Sequence, residues 1–243
     1  MTSPAGPART LSDQAGDVRA MFDAIAPRYD RANRLISLGM DLRWRWKAVR
    51  MALANKPRIV LDVGAGTGDL TRMVAANAEP RARAYGVDFS LPMLRIAAAR
   101  SSHEPDRIRY LQGDALHLPL PPASVDAIVT AFTIRNITDL PAVFRSFARV
   151  LKPGGTVTVL EISPMGNGPV ARLFRLYFGK IVPFIGRLAT GHPFAYRYLP
   201  ESVERFRDAV TLAELMTENG FGGVTFRRLG MGSVALHHGV RED

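Results

Sequence analysis

The chain has 243 residues, 47% of them apolar, which suits one globular domain with a full core. It has no cysteine, which excludes disulfides, thiolate metal sites and cysteine nucleophiles, and no run of about 18 apolar residues that would span a bilayer. The formal net charge of +10 points to a polyanion or an anionic membrane face, or to no more than an arginine-rich composition, because the charges are scattered.

Residues 1–16 are rich in Pro, Gly, Ala and Thr and lack the apolar core of a signal peptide, so they read as a disordered tail on a cytoplasmic protein. Residues 17–243 read as one domain, opening with a helical cap over 17–55. There Met21, Phe22, Ile25 and Ala26 form one apolar face, Leu42, Trp46, Val49 and Leu53 form another, and Pro27 and Gly39 interrupt the helices. Arg58–Val63 is a continuous apolar run ending in glycine, as in a parallel strand covered on both faces. A helix is predicted over Asp69–Asn77, a strand over Arg83–Val87, a helix over Pro92–Arg100 and a strand over Ile108–Gln112. A fourth strand over Val125–Ala131, a helix over Leu140–Leu151 and a fifth strand over Thr156–Ile162 follow. This alternation predicts a doubly wound α/β sheet. Residues 164–200 break the rhythm as a helical insertion, and strands return at Val224–Arg228 and Ser233–Gly239.

The central motif is Val60-Leu61-Asp62-Val63-Gly64-Ala65-Gly66-Thr67-Gly68-Asp69. A glycine-rich turn between strand and helix lets a ligand approach the backbone closely. The spacing is GxGxG, not the GxGxxG of a dinucleotide pyrophosphate site, and Asp69 would repel a phosphate. A ligand without phosphate that carries an ammonium and a sulfonium fits better. Asp88 closes the second strand, where a carboxylate can accept hydrogen bonds from both ribose hydroxyls. Asp114, with Ala115 after it, follows the third strand, where a carboxylate can accept from an exocyclic adenine amine. Each Asp alone would pass as a cap or turn residue. All three acidic positions at successive strand ends mark the crevice where open α/β sheets bind ligands.

Together these segments resemble the class I S-adenosylmethionine-dependent methyltransferases over about residues 56–165. The resemblance implies a seven-stranded Rossmann-like sheet with the last strand antiparallel and S-adenosylmethionine as co-substrate. Gly64, Gly66, Thr67, Gly68, Asp88, Asp114 and Ala115 would hold it. Further segments are similar to the ubiquinone/menaquinone-biosynthesis C-methyltransferase family: Tyr29–Gly39 with Trp44 and Trp46, Phe132–Asp139, Leu160–Ser163, Tyr196–Val203 and Ala235–Gly239. That similarity runs from about residue 18 to residue 240 and implies C-methylation of a polyprenylated quinol, demethylmenaquinol to menaquinol first. Where that family usually reads Ser-Phe-Gly-Leu-Arg-Asn, this chain has Ala131-Phe132-Thr133-Ile134-Arg135-Asn136.

Carbon methylation of a hydroquinone needs a phenol deprotonated so that the ring becomes nucleophilic. Arg135 is placed to stabilise the developing phenolate and Asn136 to orient a phenol or a base water. None of the five His residues stands out as a base, and no His/carboxylate spacing suggests a metal. Within the insertion, Arg172, Arg175, Lys180 and Arg187 fall in an arc of about 140° on a helix, with Phe174, Leu176, Phe178, Ile181, Phe184 and Ile185 around them. Residues 170–190 therefore suit an anionic membrane surface, a lid over the site, or both, which would place the enzyme on the inner membrane face. A homodimer is left open. The rival readings are a methyltransferase for another small aromatic or lipidic acceptor, a nucleic-acid methyltransferase and a non-catalytic partner in a quinone-biosynthesis complex. No nucleic-acid module accompanies the charge, and without cysteine the usual cytosine-C5 chemistry is excluded, so no nucleic acid is expected as partner.

Overall fold

In the computed structural model, residues 11–185, 199–200 and 202–243 are described. The cap holds helices α1 (Leu11–Ile25), α2 (Tyr29–Ile36) and α3 (Met40–Ala52), broken where expected, by a 3-10 turn at Ala26–Arg28 carrying Pro27 and by Gly39. Helix α1 begins at Leu11, inside the stretch expected as tail, and residues 1–10 lie outside the described ones.

A single sheet of seven strands follows, in the order β3-β2-β1-β4-β5-β7-β6. Its strands are β1 (Ile59–Val63), β2 (Arg83–Asp88), β3 (Ile108–Gln112), β4 (Val125–Ala131), β5 (Leu151–Ile162), β6 (Phe221–Leu229) and β7 (Val234–Arg241). The first five pair in parallel, and β7 runs antiparallel between β5 and β6. The predicted strands thus stand in place, with β5 longer at its start, from Leu151, and β6 longer at both ends, over Phe221–Leu229.

The alternation of side chains along each strand divides the core. Leu61, Val63, Ile128, Val157 and Val159 face helices α6 (Leu140–Val150) and α8 (Ala209–Glu218), through Phe144, Phe147, Leu212 and Met216. Their sequence neighbours Val60, Ala127, Val129 and Leu160 face α3 and α4 (Asp69–Asn77), through Ala48, Val49, Leu70 and Val74. β1, with β4 and β5 beside it, is covered on both faces, which is why Arg58–Val63 reads as a continuous apolar run.

Helix starts follow local capping chemistry. Ser90 caps α5 (Leu91–Arg100) by accepting from Met93 N, Asp139 caps α6 through Ala142 N, and Asp208 caps α8 through Val210 N and Thr211 N. A third apolar cluster joins the cap to the insertion: Met21, Ile25, Ala32 and Ile36 meet Val182, with Tyr177 and Phe178 alongside. Tyr177 Oη donates to the Ile36 carbonyl at 2.8 Å. The insertion opens as α7 (Pro169–Leu176) and continues through a π-helical turn, Tyr177–Ile181, containing Gly179. Arg187 and the rest of residues 186–198 lie outside the described residues. Among those described, no helix is long and apolar enough to cross a membrane.

Candidate active site

Strand order reverses between β1 and β4, so the C-terminal ends of β1, β2, β3 and β4 open onto one crevice. A cleft there encloses about 830 Å3 including its open mouth.

The glycine loop forms its floor. Gly64 and Gly68 have φ of +74° and +81°. At Gly64 a Cβ would overlap the Thr133 side chain, and at Gly68 it would overlap Tyr110. Gly64 N and Ala65 N donate to the Val87 carbonyl at 2.8 and 3.1 Å, and Gly66 N donates to Asp88 Oδ2 at 2.8 Å. Asp88 Oδ1 accepts from Ser90 N at 2.8 Å, so one carboxylate ties the loop to the end of β2. Burial lifts the Asp88 carboxyl above its ordinary pKa, against the two amide donors that favour its charge. Two amides leave about half of the carboxylate's lone-pair positions for a ligand. Asp114 Oδ1 accepts from Leu116 N at 2.9 Å, so its turn is likewise pinned while the side chain lines the cleft.

Of the residues expected to bind the co-substrate, Gly64, Gly66, Thr67, Asp88, Asp114 and Ala115 line this cleft together. Gly68 does not; it starts α4 and makes room for Tyr110 and Ala97. Asn136 also lines the cleft, and its Oδ1 is buried without a hydrogen-bond partner. Arg135 is where expectation and structure part. Its guanidinium does not line the cleft but pairs at 2.8 Å with Glu161, which is 1% exposed, and donates to the Phe132 carbonyl at 2.5 Å. Glu161 Oε2 also accepts from Arg135 N at 3.2 Å. The pair braces the Phe132–Asn136 loop against β5. Phe132 itself holds a φ of +61°, a strained state for a phenylalanine, with Trp44 and Arg45 against its ring.

The roof comes from the cap, a contribution the motifs alone did not reveal. Phe22, Tyr29, Asp30 and Arg45 line the cleft. Asp23 accepts from Ser90 Oγ, and Asp30 accepts from Thr67 Oγ1 at 2.7 Å and from Arg100 at 2.5 Å. Asp69 pairs with Arg34 at 3.1 Å and with Arg72 at 2.5 Å. The only signal for these was the Tyr29–Arg34 stretch, which marked a resemblance without a role. Beneath the loop, Asp62 accepts from Thr71 Oγ1 at 2.6 Å while its other oxygen has no partner. Burial pushes its pKa from 3.8 up to about 7. Among the described residues no histidine lines the cleft; His237 is fully buried, 2.8 Å from the Ala209 carbonyl.

Comparison with known proteins decides the lineage. A model of the ubiE/COQ5 methyltransferase family matches residues 9–241. The chain belongs to the ubiE/COQ5 methyltransferase family. The demethylmenaquinone methyltransferase of Thermus thermophilus is 44% identical over 221 residues, covering 91% of this chain and 100% of that protein. The ubiquinone/menaquinone biosynthesis C-methyltransferase UbiE of Syntrophotalea carbinolica is 46% identical over 226 residues, 93% of this chain and 94% of that protein. Human N-acetylserotonin methyltransferase, solved in complex with SAM, shares the fold at a TM-score of 0.65 and 16% identity, over 93% of this chain and 59% of that one. This ubiE/COQ5 family member is therefore an S-adenosylmethionine-dependent methyltransferase of quinone biosynthesis. Its two departures from the family pattern, Ala131 and Thr133, both line the cleft, and Thr133 lies against Gly64.

Proposed function

We propose that this enzyme methylates a ring carbon of a polyprenylated quinol, converting demethylmenaquinol to menaquinol. The names of the two relatives support that acceptor, and the observation that carries it here is Asn136. An unpaired, buried amide oxygen on the cleft wall is an acceptor waiting for a donor, and a phenol or a water supplies one.

S-adenosylmethionine supplies an electrophilic methyl on its sulfonium. The protein's part is positioning. Asp88 accepts from the ribose hydroxyls, Asp114 accepts from the adenine amine, and Gly64, Gly66, Thr67 and Ala115 form the wall against which the ligand lies. On the acceptor side, Asn136 Oδ1 orients the phenol or the water that takes its proton. The phenolate's ring carbon then attacks in line, the carbon–sulfur bond breaks, and the ring proton leaves to water. Arg135 acts through Glu161 and the Phe132 carbonyl, as a positioning residue that keeps Asn136 in register.

The acceptor resides in a bilayer, and α7 offers a way to it. Arg172, Arg175 and Lys180 are exposed, with Leu173 68%, Leu176 50% and Phe184 58% exposed among them. Basic and apolar groups on one exposed segment suit an anionic membrane face. This reading has the enzyme work from the cytoplasm at the inner membrane. A second copy of the chain is the other surface that would cover these leucines. The test of function is transfer of labelled methyl from S-adenosylmethionine to demethylmenaquinol, with the product weighed by mass spectrometry. A gain of one methyl on the ring supports the reading, and no transfer to any quinol overturns it.

A further inference from the structure

The charges around the cleft are unbalanced in a way the reaction so far leaves unused. Four carboxylates line it: Asp30, Asp69, Asp88 and Asp114. The first two are matched by arginines behind the wall, and the second two are allotted to ribose and adenine. Among the described residues, one cation lines the cleft, Arg45 of α3. Its side chain is 11% exposed, and its Nε is buried without a hydrogen bond, 3.7 Å from Asp41 Oδ2. Its guanidinium lies over the Phe132 ring, 5.2 Å from the centroid. Its charge also favours the ionised form of Asp62 at the end of β1, which places it beside the glycine loop. The guanidinium is ion-paired with Asp41 yet makes no hydrogen bond to a described residue, so its fork of donors keeps room for a carboxylate.

Position along the sheet says which carboxylate. Adenine is allotted to the end of β3 and ribose to the end of β2, and the sheet order continues to β1 and β4. The ligand's remaining part, its amino-acid tail, falls where Arg45 meets the glycine loop and Phe132. We propose that Arg45 binds the α-carboxylate of the methionine moiety of S-adenosylmethionine. Phe132, held at positive φ by its link to Arg135, is the aromatic rest that fixes the guanidinium plane. The proposal depends on the functional reading above, and the experiment separates the two.

Calorimetry on the full-length chain uses two probes. S-adenosylhomocysteine carries the amino-acid tail; 5′-methylthioadenosine keeps the adenosine and thioether and lacks that tail. Arg45→Met should weaken S-adenosylhomocysteine about 10- to 100-fold, the loss of a charge-assisted pair, and leave methylthioadenosine within about twofold. Arg45→Lys should recover part of the difference, since it restores charge without the fork. Unchanged S-adenosylhomocysteine affinity in both variants, with turnover reduced, would overturn the proposal and move Arg45 to the acceptor. Equal loss for both probes in both variants would also overturn it, making Arg45 a brace for α3 and Phe132. Wild-type protein that binds neither probe would instead overturn the functional reading itself.

Discussion

Arg135 and Asn136 are peptide neighbours on a 3-10 turn, Ile134–Asn136, whose three residues per turn send adjacent side chains in different directions. Asn136 thereby reaches the cleft, while Arg135 reaches Glu161. Arg135→Ala leaves Glu161 buried without its ion, and the expected loss is about 3–5 kcal/mol of stability. A urea midpoint close to wild type, with turnover abolished, would return Arg135 to the acceptor. Which of the two neighbours faces the ligand was not legible in sequence, because it depends on a partner 26 residues away. The place of Asp88 on the cleft was legible, since it ends β2, where open sheets of this kind form their crevice. Asp88→Asn should weaken S-adenosylhomocysteine binding by about 1–3 kcal/mol, and calorimetry on the folded variant reads it. Asp62 sets a pH signature. Its folded pKa, about 7, lies above the ordinary 3.8, so between those values the folded state keeps a proton that the unfolded chain has lost. Stability therefore falls as pH rises across that window, and the cost is fully present above it. Asp62→Asn should melt higher than wild type, by a margin that grows from pH 4 to pH 7 and then levels, with each kcal/mol worth about 2–4 °C. A margin independent of pH would contradict this.

At the scale of elements, the strands and helices of the sheet were legible because each buries on both faces or on one stripe, and apolar periodicity records that. The start of α4 at Asp69 was legible because Gly68 before it is a local signal, and the expected end near Asn77 is also observed. The cap's role as roof was not. It is built from ion pairs and hydrogen bonds between residues distant in the chain, Arg34 to Asp69 and Asp30 to Arg100, which leave no period in the sequence. The same holds for the pairing of α2 with the insertion through Ile36 and Tyr177. Gly64→Ala should force Thr133 out of its position on the loop and lower S-adenosylhomocysteine affinity, and adding Thr133→Gly should restore part of it. Affinity that does not respond to the second change would mean that the φ of +74° at Gly64, and not the crowding, is what matters.

For the whole molecule, the membrane proposal rests on the share of the +10 net charge carried by α7 and the turn after it. Each basic side chain near an anionic bilayer contributes about 1 kcal/mol at modest salt, so changing Arg172, Arg175 and Lys180 to Gln should sharply reduce co-sedimentation with anionic vesicles. Activity on a short, water-soluble quinol should survive. Wild-type protein that ignores such vesicles at low salt, while sedimenting as a dimer, would assign the exposed leucines to a second copy. The account as a whole rests on one transfer: the methyl of S-adenosylmethionine, held by Asp88 and Asp114, arrives on a quinol carbon oriented by Asn136. The direct measurement is a single-turnover assay with methyl-labelled S-adenosylmethionine and demethylmenaquinol in detergent, on wild type and Asn136→Ala, with the product analysed by mass spectrometry. The account predicts one labelled methyl on the ring with wild type, and a rate about 100-fold or more lower with Asn136→Ala at unchanged S-adenosylhomocysteine affinity, as for loss of the group that orients the base water. Label on a phenol oxygen, or an Asn136→Ala rate equal to wild type, would contradict it.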